Sequence, residues 1–255
     1  MKPDKRLGDY KKLSSKYWNK EYQEIDWKVT HNAGSKDKTF NLASREIDFF
    51  LDPTEKKMID LLEDKENNPY PTFSDDFWPA HSKLSDYLED FSTKKVLDYG
   101  CGSLGRYSIE LSKRFGFVWG VDIASEAINR AKAEVKSRGV QNVRLLQNDG
   151  TSIPLPSNFV DFIFSNLVLQ HIGNIEVNYA LADEFIRVLK PGGVMRIEYL
   201  DGSQRKRDGH SSPSEGNGIT RDDLEKMYSA KDGIKIESIS EGHPWLWVTI
   251  TKEKS

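Results

Sequence analysis

Residues 96–105 read VLDYGCGSLG, a short apolar strand that runs straight into a glycine-rich turn. A turn of this kind lets backbone approach a ligand where any Cβ would clash. The helix that follows it points unpaired N–H groups toward that ligand. One acid, Asp98, stands just before the glycines, and a second, Asp122, closes the next apolar run, residues 117–121 (FVWGV). A carboxylate roughly twenty residues beyond such a turn suits the two hydroxyls of a ribose. Strand, turn, helix and second acid together predict a site for a nucleoside-bearing cofactor.

Nicotinamide dinucleotides and S-adenosylmethionine share this plan. A dinucleotide brings a pyrophosphate to the turn, where an acid is unwelcome. S-adenosylmethionine brings an ammonium and a sulfonium, and Asp98 inside the turn suits a cation better than a phosphate. From about residue 80 to 252 the sequence resembles the class I S-adenosylmethionine-dependent methyltransferases. The resemblance rests on five ordered blocks: VLDYGCGSLG (96–105), GVDIA (120–124), QNDG (147–150), VDFIFSNLVLQHI (160–172) and VLKPGGVMRI (188–197). It implies S-adenosyl-L-methionine as cofactor, with S-adenosyl-L-homocysteine as product. It also implies an α/β fold, a Rossmann-like and mostly parallel seven-stranded sheet with helices on both faces and a C-terminal antiparallel hairpin.

The residue pattern agrees with that architecture. Fully apolar strand runs suggest a parallel sheet covered on both faces. Helices are predicted over 106–115, from a Ser125 cap to Gly139, and over 177–189; strands over 117–121, 143–146, 159–164 and 194–199. Residues 234–240 and 246–251 have no helix between them, and Gly242 and Pro244 suit a hairpin. N-terminal to this core, residues 1–93 are expected to form a helical extension or lid, with 94–255 as the cofactor-binding core. Thr30 to Lys38 reads as a loop. Asp52-Pro53-Thr54-Glu55 reads as a capping box opening a helix to about Glu63, and a further helix is expected over 80–91 from the spacing of Leu84, Leu88 and Phe91.

Ligands of open parallel sheets sit beyond the carboxyl ends of the strands. By resemblance, Gly100, Cys101 and Gly102 pass under the methionine part of the cofactor and Asp98 helps to hold its ammonium. Asp122 takes the ribose hydroxyls and Ile123 packs on the adenine. Asn148, Asp149 and Gly150 follow the third strand, where the family accepts from the adenine amino group, and Asn166 ends the fourth strand at the cofactor's amino-acid end. Cys101 reads as a small turn residue, not a nucleophile. His171, just past the fourth strand, and His210, in the polar stretch 201–218, are the candidate bases. Each also has a structural reading, as a helix cap or a solvated loop residue. Candidate acceptor contacts are Trp18, Trp78, His81, Tyr199 and Arg205, with Tyr17, Tyr22 and Tyr70 as further aromatic walls.

Several classes are disfavoured. The 37 basic and 40 acidic residues give a net charge of −3, so no global basic field draws the chain to nucleic acid. The fourth strand ends in Ser165-Asn166-Leu167-Val168, not the Asn/Asp-Pro-Pro-aromatic motif of nucleic-acid amino-methylases of this fold. A single cysteine rules out a disulfide framework and suits a reducing, cytoplasmic setting. The basic start lacks the apolar run of a secretory signal, and no apolar stretch approaches the ~20 residues of a membrane span. No metal is expected, because Asp161 lies inside its strand. The expectation is a monomeric or homodimeric methyltransferase of a small molecule such as a sugar or natural-product scaffold, with oxygen as the first acceptor. Nitrogen or carbon methylation, protein or RNA methylation, and a non-catalytic binding module remain alternatives.

Overall fold

The computed structural model describes residues 5–24, 35–54, 56–57, 60, 82–172, 174–202, 218–242 and 245–254. Seven strands form one sheet in the order β3-β2-β1-β4-β5-β7-β6: β1 (Lys95–Tyr99), β2 (Phe117–Asp122), β3 (Val143–Gln147), β4 (Val160–Ser165), β5 (Leu189–Leu200), β6 (Ile234–Gly242) and β7 (Trp245–Lys252). The first five pair in parallel, whereas β7 runs antiparallel to both β5 and β6. The described helices are α1 (Lys5–Glu24), α2 (Ser35–Leu51), α3 (Arg106–Ser112), α4 (Ser125–Ser137), α5 (Ile175–Val188) and α6 (Arg221–Ser229).

The period-2 alternation of the strands divides the core. Leu97, Tyr99, Ile163, Ile197 and Tyr199 pack with α5 and α6 on one face. Val96, Val118, Phe162, Phe164 and Trp247 pack with α2 and α3 on the other. Trp247 is fully buried, 4.4 Å from the Phe50 ring at the end of α2 and 6.1 Å from Phe164. Burial of aromatic and aliphatic side chains at about 1.5–3 kcal/mol each is what holds α2 to the sheet. Arg196 of β5 is also buried, and its guanidinium donates to Phe50 O and Ser82 O, tying the end of α2 to Ser82.

Some local expectations are corrected. Helix α2 begins at Ser35, inside the stretch read as a loop to Lys38. Thr54, not Asp52, accepts from the Lys57 N–H, and Asp52 and Pro53 are not helical; residues 56, 57 and 60 of that expected helix are helical, and its other residues from 55 onward lie outside the described ones. Residues 84–86 and 91–93 are short 3-10 turns, not part of an α-helix. Asp86 takes the Lys83 N–H, and Asp90 is left-handed at φ 42°, so local side-chain bonds outcompete the helix despite the burial of Leu84 and Leu88. Helix α6 was not anticipated, although Thr220 and Asp223 form its reciprocal capping box.

At the end of β5 the backbone is clasped to residues 218 and 219. Gly202 N–H donates to Ile219 O at 3.1 Å and Ile219 N–H to Leu200 O at 2.7 Å. A Cβ on Gly202 or Gly218 would collide with the other's backbone. Among the described residues, no helix is long and apolar enough to cross a membrane.

Candidate functional site

The glycine turn leaves β1 with Gly100 at φ 79° and Gly102 at φ 64°, both left-handed. A Cβ on Gly100 would run into Val168, so the turn and the chain after β4 meet at a point that only glycine permits. Gly100 N–H and Cys101 N–H donate to Val121 O at 2.8 and 3.0 Å, and Gly102 N–H donates to Asp122 Oδ2 at 3.0 Å. The other Asp122 oxygen accepts from Ala124 N–H at 2.9 Å. One carboxylate thus joins the turn after β1 to the start of α4.

Asp98 lies beneath the turn, buried, with Ser108 Oγ donating to it at 2.6 Å. Burial pushes its carboxyl up to about 7 against the opposing Ser108 bond, with the Asp122 charge adding to the rise. Burial likewise takes Asp122 to about 6, against its backbone donors. The Cys101 thiol is raised by burial and then by both acids, which suits an inert turn residue.

A cavity opens beside this turn. Tyr99, Gly100, Asp122, Ile123, Asn148, Gly150 and the 167–172 segment line it, and Ser14, Trp18 and Tyr22 of α1 roof it. Trp18 meets the His171 ring edge to face at 5.1 Å and lies 6.2 Å from Tyr22. The Gln170 amide donates to His171 Nε2 at 3.1 Å. A second cavity shares Tyr22, Gly100 and Leu167 with the first and continues past Gly102 to Arg106, Tyr107 and Asn166. The two adjoin at the glycine turn and are together called the trough.

Two anchors hold α1 over the trough. Lys11 Nζ donates to Asp149 Oδ2 at 2.5 Å. Asn19 Oδ1 accepts from Glu126 N–H at 3.1 Å and Ser125 Oγ at 3.0 Å. Helix α4 has Ala124 at its cap position, with no side-chain cap of its own. Ser125, the expected cap, is its first helical residue, and the cap comes from α1 instead.

Beneath the far end of the trough lies a buried polar network. Asn166 Nδ2 donates to Tyr107 Oη at 2.6 Å, and Tyr107 donates to Glu46 Oε2 at 2.7 Å. Leu167, left-handed at φ 60°, donates its N–H to Glu198 Oε1 at 3.0 Å. Burial raises the carboxyls of both Glu46 and Glu198, at Glu46 against the opposing Arg106 charge and Tyr107 bond.

The predicted residues therefore divide. Gly100, Asp122, Ile123, Asn148, Gly150, His171 and Trp18 line the first cavity; Cys101, Gly102 and Asn166 line the second. Asp98 supports the turn from below. Asp149 turns away: Oδ1 accepts from Thr151 and Ser152 N–H groups at 2.9 and 2.7 Å, and Oδ2 holds Lys11. Burial alone would raise its carboxyl, but these donors outweigh it and hold Asp149 well below the usual carboxylate range. Tyr199 is removed from the acceptor set; it is 1% exposed, with its hydroxyl 2.7 Å from that of Tyr228 in the core under α6. Trp78, His81, Arg205 and His210 lie outside the described residues. Sequence reasoning missed Ser14, whose spacing to Trp18 and Tyr22 (i, i+4, i+8) was the available signal. It also passed over Tyr107 and Glu198. Among the described residues, no group of His, Cys, Asp and Glu is arranged to hold a metal ion.

Comparison with known proteins places this geometry. Residues 97–197 match the family model described as a methyltransferase domain. The chain is 31% identical over 104 residues to a demethylmenaquinone methyltransferase of Geobacillus stearothermophilus, covering 40% of this chain and 43% of that protein. It is 32% identical over 194 residues to phosphoethanolamine N-methyltransferase 1 of Triticum aestivum, covering 66% of this chain and 38% of that one. The chain thus spans less than half the length of these curated relatives. The crystal structure of a SAM-dependent methyltransferase from Aquifex aeolicus superposes with a TM-score of 0.52 at 27% identity, covering 69% of this chain and 89% of the other.

Proposed function

We propose that this chain, a member of the class I S-adenosylmethionine-dependent methyltransferases, transfers the cofactor's methyl group to a hydroxyl oxygen of a small molecule. The observation that carries the reading is the roofed trough that runs from Asn148 and Asp122 across Gly100 to Asn166. Its donor set fits S-adenosylmethionine. Asp122 offers a buried carboxylate to the ribose hydroxyls. The Gly100 turn leaves the backbone bare of Cβ for the methionine part. Asp98 and the acceptors after β4 serve its ammonium, and Asn148 has an unpartnered buried oxygen at the nucleoside end. The cofactor supplies an activated methyl, so the chain's task is alignment and the exclusion of water. Trp18, Tyr22 and His171 wall the space on the acceptor side, where aromatic faces suit a sulfonium and a flat acceptor.

A hydroxyl acceptor must lose its proton during transfer. His171, at the cavity wall beside Trp18, supports that role as general base. A sugar or natural-product scaffold suits an aromatic wall with few charges. The relatives' names span a quinone and an N-methylated phosphoethanolamine, so N- and C-methylation are the nearest other readings. The proposal assigns 1–93 to the N-terminal extension and 94–255 to the core, and no nucleic-acid partner.

The test uses S-adenosylmethionine labelled in its methyl group, with purified protein and fractionated cell extract, and Asp122→Ala as control. Label in the small-molecule fraction, absent with the variant, supports the reading. Label confined to protein or RNA refutes it.

A further inference from the structure

Strand β3 ends the sheet and pairs with β2 on one side only. The bonds from Val118 N–H to Asn142 O and from Asn148 N–H to Asp122 O fix its phase. By the alternation of a parallel ladder, residues 142, 144, 146 and 148 bond to β2, and the backbone groups of Val143, Leu145 and Gln147 point outward. None of these three N–H groups donates to another described residue. Native sheets rarely leave such an edge bare. A groove of 430 Å³ runs along it, floored by Val135 of α4 with Val143 and Leu145, and rimmed by Lys132 and Lys136 of α4 and Arg144 of β3. The three cations are exposed, and none is ion-paired to a described residue. The two acids of α4 are already taken, Glu126 by Arg130 and Glu134 by Arg138. Residues 125–147 hold five cations and two acids, in a chain whose net charge is −3. Leu145 packs with α4, whereas Arg144 reaches the Trp119 ring at 5.4 Å, so cations stand on both faces of the edge.

An occupant of this groove must bring three things: extended backbone for the edge, acidic side chains for the rim and apolar ones for the floor. Nucleic acid brings phosphates but no backbone that pairs with a strand. A second copy of β3 would set the basic rim against itself. We propose that β3 and α4 form a docking groove for an acidic, extended segment of a partner protein, which joins the sheet as a further strand. Because successive side chains of that segment point to opposite faces, its acids meet Lys132 and Lys136 on one face and Arg144 on the other. The groove shares no lining residue with the trough, so docking leaves the candidate cofactor site open.

The probe is a short fluorescent peptide of repeating Glu-Glu-Val-Val, which sets acids and valines on both of its faces. Anisotropy with the full chain is expected to rise with this peptide and not with its Lys-Lys-Val-Val counterpart. Hydrogen exchange at the Val143, Leu145 and Gln147 amides should slow when the acidic peptide binds. Lys132→Glu combined with Arg144→Glu should weaken the acidic peptide about tenfold or more and let the basic counterpart bind instead. A version of the acidic peptide with its backbone nitrogens methylated, which cannot donate to a strand, should not bind. The inference is overturned if the unaltered protein does not bind the acidic peptide, or if the charge-reversed protein binds it equally. Equal binding of the methylated version, or unchanged exchange at the three amides in the complex, overturns it as well. A single-stranded oligonucleotide that binds the groove more tightly than the peptide would assign it to nucleic acid and overturn the proposal too.

Discussion

Cofactor binding should release protons, and the amount follows from the two acids under the glycine turn. With Asp98 raised to about 7 and Asp122 to about 6 by burial, the empty site holds protons that a free carboxyl would have lost. At pH 7 Asp98 is about half protonated and Asp122 about one-tenth, so roughly 0.6 proton resides on the pair. At pH 6 the sum is about 1.4, and at pH 8 about 0.1. A ligand that places an ammonium near Asp98 and ribose hydroxyls on Asp122 favours both carboxylates, so these protons leave on binding. Calorimetry of S-adenosylhomocysteine in buffers of different ionisation enthalpy reads the number directly. Methylthioadenosine, which keeps the ribose but lacks the amino-acid end, should lose the Asp98 share, and Asp98→Asn should remove that share from S-adenosylhomocysteine binding. The sign for stability is the same. Folded pKa values above the unfolded value near 3.9 give stability that is complete at low pH and lost as pH rises through about 6 to 7. The empty protein should therefore melt higher at pH 5 than at pH 8, and bound ligand should flatten that slope. Binding heats at pH 6 that do not depend on the buffer would refute the reasoning.

Three further outcomes are expected. Asn19→Ala removes the cap that α1 supplies to α4 and should cost about 1 kcal/mol in denaturant unfolding, with faster proteolytic cutting in α1; an unchanged cutting rate would mean that Asn19 does not hold the roof. Gly100→Ala forces a Cβ into Val168 at a left-handed φ, so it should lose ligand affinity together with roughly 1–3 kcal/mol of stability, and affinity equal to the parent's would contradict the geometry. Glu198→Gln keeps an acceptor for the Leu167 N–H and removes a charge that burial disfavours. Its unfolding free energy should stay within about 1 kcal/mol of the parent's, whereas Glu198→Ala should cost about 1–3 kcal/mol; the reverse order would show that Glu198 is ionised.

The sheet and its turn were legible because their signals are local. Apolar runs, glycines that only a tight turn explains, and an acid at a strand end each point to the same place in the chain. Residues whose meaning depends on distant partners were not legible. Asn19 looks like any helical asparagine until α4 is seen to lack a cap of its own. Asp149 sits where the pattern wants a ligand contact, and only the approach of Lys11 from α1 shows that it is already taken. Tyr199 lies near the end of β5 where the pattern suits an acceptor contact, but α6 covers it and its hydroxyl is taken by Tyr228. The expected helix over 80–91 failed within its described part, 82–91, for a local reason: Asp86 offers the Lys83 N–H another partner and Asp90 is left-handed, and apolar spacing alone does not reveal that.

The clasp at Gly202 and Gly218 sets how freely this molecule can change. Gly202 and Ile219 are joined by backbone hydrogen bonds at the end of β5, so the two ends of the intervening chain are held side by side. Lengthening such a closed segment costs only its added closure entropy, about 0.6 kcal/mol for each doubling. The backbone bonds at Gly202 and Ile219 thus fix where α6 departs from β5 by contacts of their own, and a change in the length of the chain between the two glycines adds only that closure cost to them.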